Sequence, residues 1–227
     1  METSDDKMER RLYSHDLAPL PKEMDLIFKT MPDQVVRPAY TQDVVQMVQK
    51  AIATKKPLVP RGAGTWGLGG SVPVKGGTVL DMTGMSKILS IDEVNLVVTV
   101  QPGLSWKGLA DALDARGYFL PCYPSSAPSA TLGGWINTGG TGIGAYKYGS
   151  AGDLIRDMEI VLPDATVIHT GDKLVPQNGG GPNLNWFFVG SEGVLGIVTE
   201  VTLRILPKPE VLRPVSYSFG DLVKFKP

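Results

Sequence analysis

The chain has 227 residues, of which 42% are hydrophobic and 20% charged, and these proportions are typical of a packed core and exclude wholesale disorder. Lys and Arg number 22 against 23 for Asp and Glu, and the net charge of −1 argues against a protein built to neutralise the phosphate backbone of nucleic acid. Two histidines and one cysteine exclude, within this chain, a zinc site made of several Cys and His residues, an iron–sulfur cluster and an internal disulfide.

The first helix is predicted after a polar, proline-containing segment of about 35 residues, which is typical of an arm with one short helix. Val44, Val45, Val48 and Ile52 form an apolar stripe at helical spacing, and Thr41 is placed to cap it. The arm is charged and lacks the apolar core of a signal peptide. No segment reaches the roughly 18–20 apolar residues of a membrane span. With one cysteine, the expected location is cytoplasmic, and association with a membrane through a partner stays open.

Short strands are predicted where apolar or alternating segments are broken by Gly and polar turns, at 58–59, 78–82, 88–92, 96–101, 158–162, 166–169 and 194–206. A second helix is predicted after Ser105, with Leu109 and Leu113 four residues apart and Gly117 at its end. Strands outnumber helices, so the sequence predicts an α+β fold.

Two glycine-rich stretches stand out among the 27 glycines of the chain. The string GAGTWG at 62–67 matches the GxGxxG pattern of Rossmann domains, but LGGSVP at 68–73 cannot begin a stable helix, so it does not indicate that fold. Successive backbone N–H groups in a tight glycine turn can still bind an anion. The stretch 121–152, rich in Gly, Ser, Pro and aromatics, is more typical of a ligand-binding surface than of a spacer. Together they suit a flat cofactor that carries a diphosphate; simple tight turns are the alternative.

Four ordered motifs resemble the type-4 FAD-linked oxidases: RGAGT (61–65), PSSAPSATLGGWINT (124–138), KYGSAGDLI (147–155) and GSEGVLGIVTEVTLRILPKPE (190–210). These are the flavoprotein subunits of glycolate oxidase and D-lactate dehydrogenase, of the p-cresol methylhydroxylase/vanillyl-alcohol oxidase fold. The residues YSHD (13–16) and VRP (36–38) are similar to the family's opening segment. The resemblance implies an arm at 1–40, an FAD-binding domain at 41–210 and the start of a truncated or absent substrate (cap) domain at 211–227. FAD is expected between two α+β subdomains, about 41–102 and 103–210.

The same motifs imply which residues bind the cofactor, with the loop 61–65 as the pyrophosphate cradle. The implied set is Arg61, Gly62, Ala63, Gly64, Thr65, Gln101, Pro124, Ser125, Ser126, Thr131, Gly133, Gly134, Thr138, Tyr148, Gly149, Asp153, Glu192, Gly193 and Ile197. The chain departs from the family pattern at Tyr123, where Asp is common, and at 139–142, where GGTG replaces NAGG.

Other interpretations of single residues stay open. Asp153 and Glu192 suit solvated or helix-capping carboxylates, and Tyr148 suits a core position. Trp135 suits packing better than flavin stacking. His15 and His169 are expected at the surface, and Cys122 is expected to be a small buried side chain.

The resemblance implies an oxidoreductase that moves a hydride from a 2-hydroxy acid, such as D-lactate or glycolate, to flavin N5. Electrons would pass to a partner subunit, an iron–sulfur protein or an electron-transfer flavoprotein. FAD is expected to be non-covalent, because covalent members commonly carry His where Thr65 stands. No catalytic residue and no metal site is assigned, and the lone chain is not expected to oxidise a hydroxy acid, because substrate-binding groups are expected in a cap domain.

Two further functions stay open. One is a non-redox flavoenzyme resembling alkyl-dihydroxyacetonephosphate synthase, which shares the GGW-I-x-T run at 133–138 and the YG-x-x-x-DL spacing at 148–154. The other is an FAD-holding electron-relay subunit. The sequence does not indicate the oligomeric state.

Overall fold

A computed structural model describes residues 1–19, 21, 23, 27–175 and 181–218. The first sheet is built from the N-terminal part of the chain. Its elements are β1 (Glu2–Ser4), α1 (Lys7–Leu12), β2 (Gln34–Arg37), α2 (Thr41–Thr54), β3 (Leu58–Arg61), β4 (Thr78–Asp81) and a 3-10 helix (Met82–Gly84). The strand order is β1-β2-β4-β3, with β2, β3 and β4 parallel and β1 antiparallel to β2. The carboxyl ends of β3 and β4 therefore meet at one edge, where Arg61 lies opposite Asp81.

The second sheet has five antiparallel strands in the order β5-β6-β10-β8-β9. Its part of the chain contains β5 (Ile88–Asp92), β6 (Val97–Val100), α3 (Trp106–Asp114), β7 (Tyr118–Phe119), α4 (Leu132–Asn137), α5 (Ala145–Tyr148), α6 (Ala151–Leu154), β8 (Ile155–Val161), β9 (Val167–His169), α7 (Asn185–Phe188), β10 (Ile197–Arg204) and β11 (Leu206–Pro207). The short strands β7 and β11 pair with each other.

Two apolar cores lie on opposite faces of the second sheet. The larger core packs α3, α4 and α6 against the sheet, with Leu109, Ile136 and Leu203 fully buried. The smaller core lies under α2 and combines residues of the first sheet with Val161 and Ile197 of the second. Helix α2 therefore joins the two sheets into one structure.

Strand β10 is predicted to alternate apolar and polar residues, yet both of its faces are covered. Thr199 and Thr202 are polar positions of this pattern, yet both are buried, and the register shift between Val198 and Glu200 interrupts the alternation at Thr199. Their hydroxyl groups are hydrogen-bonded, since Thr202 Oγ1 lies 2.9 Å from Thr99 Oγ1 and Thr199 Oγ1 donates to Glu159 Oε1 at 2.8 Å. Because these hydroxyl groups are hydrogen-bonded, the threonine-bearing face of β10 can be buried against α2.

Both predicted helices are present, with one correction at the cap of the first. Helix α2 begins at Thr41, but Tyr40 is the N-cap residue, and Asp43 accepts hydrogen bonds from the backbone N–H groups of Ala39 and Tyr40. The Thr41 hydroxyl instead donates to Glu159 Oε1 at 2.6 Å, across to the second sheet. Helix α3 is capped as predicted, because Ser105 Oγ accepts from Gly108 N at 3.0 Å.

The stretch 121–152 contains three short helices, α4, α5 and α6, where no periodic pattern was visible. Leu132 and Ile136 of α4 are fully buried against the larger core, so tertiary packing stabilises a helix that contains two glycines.

The α+β fold is confirmed. Among the residues that the structure describes, no helix is long and apolar enough to cross a bilayer.

Candidate functional site

A cavity of about 530 Å³ lies where the carboxyl end of β3 meets α4 and the start of β10. Its volume falls within the range of about 300–1,000 Å³ that is usual for sites of small molecules and cofactors. Most of the lining comes from four segments, 60–66 with 70–71, 124–126, 130–143 in part and 192–198 in part, and Met82 and Pro102 complete it. Both sheets contribute, since Arg61 ends β3 and Ile197 begins β10.

The first loop presents backbone donors to this cavity. The N–H groups of residues 62–65 donate no hydrogen bond within the described part of the chain. Gly64 has a φ of +66°, which a residue with a side chain rarely adopts. A tight turn with several free N–H groups is the geometry that binds phosphate oxygens.

Thr131 stands opposite this loop and precedes α4. Its hydroxyl oxygen is buried and has no hydrogen-bond partner among the described residues. A Cβ added at Gly62 would overlap this oxygen, and one added at Gly134 would lie 2.9 Å from it. A buried hydroxyl without a partner is uncommon in folded proteins. Because Thr131 lines the cavity, its hydroxyl is available to a ligand there.

Arg61 brings the positive charge at the cavity. Its guanidinium donates from Nη1 to the carbonyl oxygen of His15 at 2.7 Å and lies 5.1 Å from the centroid of the Tyr13 ring. Within the described residues it forms no salt bridge, and burial lowers the pKa of this guanidinium from its usual value. A half-buried cation without a carboxylate partner favours an anionic ligand.

The loop 190–193 is fixed to the C-terminal end of α4. Gly190 N donates to Ile136 O at 3.1 Å, and Glu192 N donates to Asn137 O at 2.9 Å. Gly193 has a φ of +78°, and a Cβ there would lie 2.7 Å from Pro60 Cγ. This loop therefore closes the cavity between the start of β10 and β3.

The second glycine tract, 139–144, has a packing role that its sequence did not reveal. A Cβ at Gly140 would overlap the Trp135 ring, and one at Gly144 would overlap the carbonyl of Pro121. Trp135 packs edge-on against Trp106 with ring centroids 4.7 Å apart, and it also lines the cavity. Glycine is needed at 140 for close packing against Trp135, and at 144 for close approach to the Pro121 carbonyl.

The structure brings most of the predicted cofactor residues together. The cavity is lined by Arg61, Gly62, Ala63, Gly64, Thr65, Pro124, Ser125, Ser126, Thr131, Gly133, Gly134, Thr138, Glu192, Gly193 and Ile197. Four predicted residues, Gln101, Tyr148, Gly149 and Asp153, are not among the lining residues.

Each of those four has another contact. Gln101 accepts from Lys87 N and donates to Ala39 O, so its side chain points away, although its neighbour Pro102 lines the cavity. Asp153 caps α6, because its carboxylate accepts from the backbone and hydroxyl of Ser150. A Cβ on Gly149 would lie 2.6 Å from the Asp153 side chain. Tyr148 packs edge-on against Phe119 at 6.2 Å.

Several lining residues were missed by the sequence reasoning: Pro60, Trp66, Gly70, Ser71, Met82, Pro102, Ala130, Trp135, Asn137, Thr141, Gly142, Ile143, Gly196 and Val198. Asn137 lies inside the motif at 124–138, which carried seven predicted residues, so the motif itself was a signal for it. Ser71 and Met82 come from other segments, and nothing in the local pattern indicates that they reach the cavity.

The histidine and cysteine side chains, which could form a covalent bond to a flavin, lie outside the cavity. His15 and His169 are exposed, as expected, and neither lines the cavity. Cys122 is fully buried, and burial raises the pKa of its thiol, so the reactive thiolate is disfavoured. Among the described lining residues, Arg61 and Glu192 are the ones with ionisable side chains.

Comparison with known proteins gives a consistent picture. Residues 32–171 match the model of a family described as "FAD binding domain". The chain is 40% identical over 201 residues to the glycolate oxidase subunit GlcD of Bacillus subtilis, covering 88% of this chain and 41% of that protein. It is 35% identical over 198 residues to a D-lactate dehydrogenase of Anaerostipes hadrus, covering 87% and 40%.

A solved structure of an alkyldihydroxyacetonephosphate synthase superposes with a TM-score of 0.79 at 29% identity, over 92% of this chain and 38% of that one. The chain therefore spans about two fifths of the length of the relatives that it matches.

Proposed function

Because the chain belongs to the family defined by this FAD-binding domain, of the p-cresol methylhydroxylase type, we propose that it holds FAD for the oxidation of a 2-hydroxy acid. FAD is its cofactor. The relatives with the highest identities given above are named for glycolate and D-lactate, which are both 2-hydroxy acids. The substrate and the activity of the whole protein are the proposal.

The observation that carries the proposal is that several polar groups of the described residues, which lack either a hydrogen-bond partner or an ion-pair partner, are concentrated around one cavity. The free N–H groups of residues 62–65 and the Arg61 guanidinium suit the pyrophosphate of FAD. The hydroxyl of Thr131 suits a phosphate oxygen or a ribityl hydroxyl, because it can donate or accept. The residues present therefore fit FAD, and we assign them to its binding.

FAD supplies the hydride acceptor when it is bound, and the chain supplies binding, orientation and exclusion of water. The half-buried Trp135 and the apolar Ile197 and Val198 give the cavity an apolar wall. Such a wall suits a flat aromatic ring system better than a small anion alone.

The test is anaerobic mixing of the FAD-loaded protein with D-lactate or glycolate, with the protein purified together with the subunits that accompany it in its native cells. We expect the visible flavin absorbance to bleach with D-lactate or with glycolate, and not with L-lactate or with the 2-keto acids pyruvate and glyoxylate. A preparation that contains FAD and is reduced by dithionite, but by no 2-hydroxy acid, would contradict the proposed substrate class.

A second candidate function is a flavoenzyme without net redox turnover, similar to alkyldihydroxyacetonephosphate synthase. The specific observation in its favour is the superposition on a solved synthase of that name. The mixing experiment separates the two functions, because a hydroxy acid is not expected to reduce the flavin of a non-redox enzyme. The first candidate function also needs a partner that accepts electrons, either an iron–sulfur protein or an electron-transfer flavoprotein. A third candidate is a non-enzymatic subunit that holds FAD and relays electrons.

A further inference from the structure

The N-terminal segment contacts Arg61, a lining residue of the cofactor cavity, through Tyr13. The ring of Tyr13 lies close to two guanidinium groups, with Arg61 Cζ at 5.1 Å and Arg37 Cζ at 5.8 Å from its centroid. Two residues further on, the carbonyl oxygen of His15 accepts from Arg61 Nη1 at 2.7 Å. The segment thus contacts Arg61 at two points.

Tyr13 is itself held firmly. Its hydroxyl donates to Asp81 Oδ2 at 2.6 Å and accepts from Arg37 Nη2 at 3.1 Å. Asp81 is 1% exposed and also accepts from Arg37 Nε at 3.0 Å. Arg37 in turn pairs with Glu9 of α1. This network fixes the ring against the end of β4, so the ring is a rigid platform for a neighbouring cation.

Arg61 has few other contacts that define its position. The only hydrogen bond of its side chain within the described residues is the one to His15, and its guanidinium lies so close to Gly64 that a Cβ there would overlap it. A free arginine side chain has many rotamers, and ordering them on binding weakens affinity. A guanidinium that is already stacked and hydrogen-bonded loses less freedom when it pairs with an anion.

We propose that Tyr13 and the His15 carbonyl position the Arg61 guanidinium for the pyrophosphate of FAD, so that the N-terminal segment sets the affinity of the cavity for its cofactor. This inference rests on the proposed assignment of Arg61 to the FAD cradle. Tyr13 is a positioning residue in this role, because it lies behind Arg61 and is not among the residues that line the cavity.

The test is a double-mutant cycle on the dissociation constant of FAD, titrated into the apo chain and read from flavin fluorescence. Tyr13→Leu removes the aromatic platform and is expected to weaken FAD binding about tenfold, the upper range for a partly desolvated cation–aromatic contact. Arg61→Gln is expected to weaken it by about 10- to 100-fold, as loss of a charged hydrogen-bond donor does. With Gln at position 61, the Tyr13→Leu change should shift the dissociation constant by less than about twofold, because its effect passes through Arg61.

Two control variants define what the cycle measures. Tyr13→Phe keeps the ring and removes the hydroxyl that bonds Asp81, and it should stay within about threefold of the unchanged chain. Tyr40→Leu makes the same substitution in the aromatic ring that stacks on Lys87, away from the cavity, and should leave FAD binding unchanged. If Tyr13→Leu fails to fold, Tyr13→Met, which fills the space flexibly without an aromatic face, takes its place in the cycle.

The outcomes are distinct. An unchanged chain that takes up no FAD overturns both the cradle and the positioning role. If the unchanged chain binds FAD and Arg61→Gln binds it equally well, the cradle assignment of Arg61 fails. If Arg61→Gln is impaired and Tyr13→Leu weakens binding by the same factor in both backgrounds, or not at all, only the positioning role fails.

Discussion

The hydroxyl of Thr131 and the N–H groups of residues 62–65 are polar groups that the fold leaves without partners at one place. Their lack of partners costs stability unless a ligand or solvent supplies the missing bonds. At the scale of single residues, the site is therefore recognised by polar groups that lack hydrogen-bond partners among the described residues.

Thr131→Val tests this directly, because valine has nearly the same shape and lacks the hydroxyl. We expect the apo chain to be unchanged or stabilised by up to about 1 kcal/mol, since an unpaired buried oxygen disappears. FAD binding should weaken about five- to tenfold if the hydroxyl bonds the cofactor. Thermal denaturation of the apo chain and fluorescence titration with FAD measure the two effects, and a variant that binds FAD normally would remove Thr131 from the site.

Gly64→Val is expected to abolish FAD binding while the chain still folds. The φ of +66° excludes a β-branched residue without strain, and the Cβ would overlap the Arg61 guanidinium. The variant therefore displaces both the loop and its cation. Flavin content after purification and circular dichroism are the measurements. Full FAD occupancy in a folded Gly64→Val chain would show that the cradle lies elsewhere.

FAD is expected to be released by acid or heat. No His, Cys or Tyr is among the described residues that line the cavity, so the usual covalent attachments to a flavin are absent there. After precipitation the yellow colour should stay in the supernatant with the mass of FAD. Colour that remains in the pellet through washing would indicate a covalent bond.

At the scale of elements, Asp153 shows that a motif position can have a capping contact outside the cavity. Its carboxylate accepts two hydrogen bonds from Ser150 and caps α6. Asp153→Ala should therefore cost about 0.5–1 kcal/mol of unfolding free energy, the usual magnitude for a lost capping interaction. The dissociation constant of FAD should stay within twofold of the unchanged chain, about 0.4 kcal/mol. A large loss of FAD affinity at unchanged stability would return Asp153 to the site.

The sequence predicted the elements with local signals and missed those that depend on distant contacts. The Ser105 cap and the stripe of Val44, Val45 and Val48 can be recognised locally, and both are observed. Ile52, the fourth residue of the predicted stripe, is instead exposed, because the buried face of α2 ends one turn earlier. Helix α4 could not be recognised, because Leu132 and Ile136 are stabilised by the larger core and the helix contains two glycines. The cradle loop was predicted from its motif, whereas the side chain of Gln101 turns toward Lys87 and Ala39 for reasons that only the fold reveals.

At the scale of the whole molecule, the cavity carries groups for a cofactor and few for a substrate. Oxidation of a 2-hydroxy acid requires a partner for its carboxylate and an acceptor for its hydroxyl proton. Arg61 and Glu192 are the ionisable side chains among the described lining residues, and Arg61 is assigned to the pyrophosphate.

We therefore expect the 227-residue chain alone to bind FAD and to be reduced by dithionite, yet to remain oxidised in excess D-lactate or glycolate. Anaerobic absorbance spectra of the lone chain measure both reactions. Dithionite is the control that shows the flavin to be accessible. Rapid bleaching by either acid would mean that a residue assigned here to FAD performs the proton transfer, with Glu192 the first to substitute.

Helix α2 packs against both sheets, and its core includes Val161 and Ile197 from the second sheet. Pulling the sheets apart would expose that core to water, so a half-melted chain with one intact sheet is unfavourable. Calorimetry should consequently show one endothermic peak whose calorimetric and van't Hoff enthalpies agree. Cofactor exchange then belongs to the native state: dialysis against concentrated salt should strip the flavin reversibly, and the colourless protein should regain its spectrum when FAD is returned.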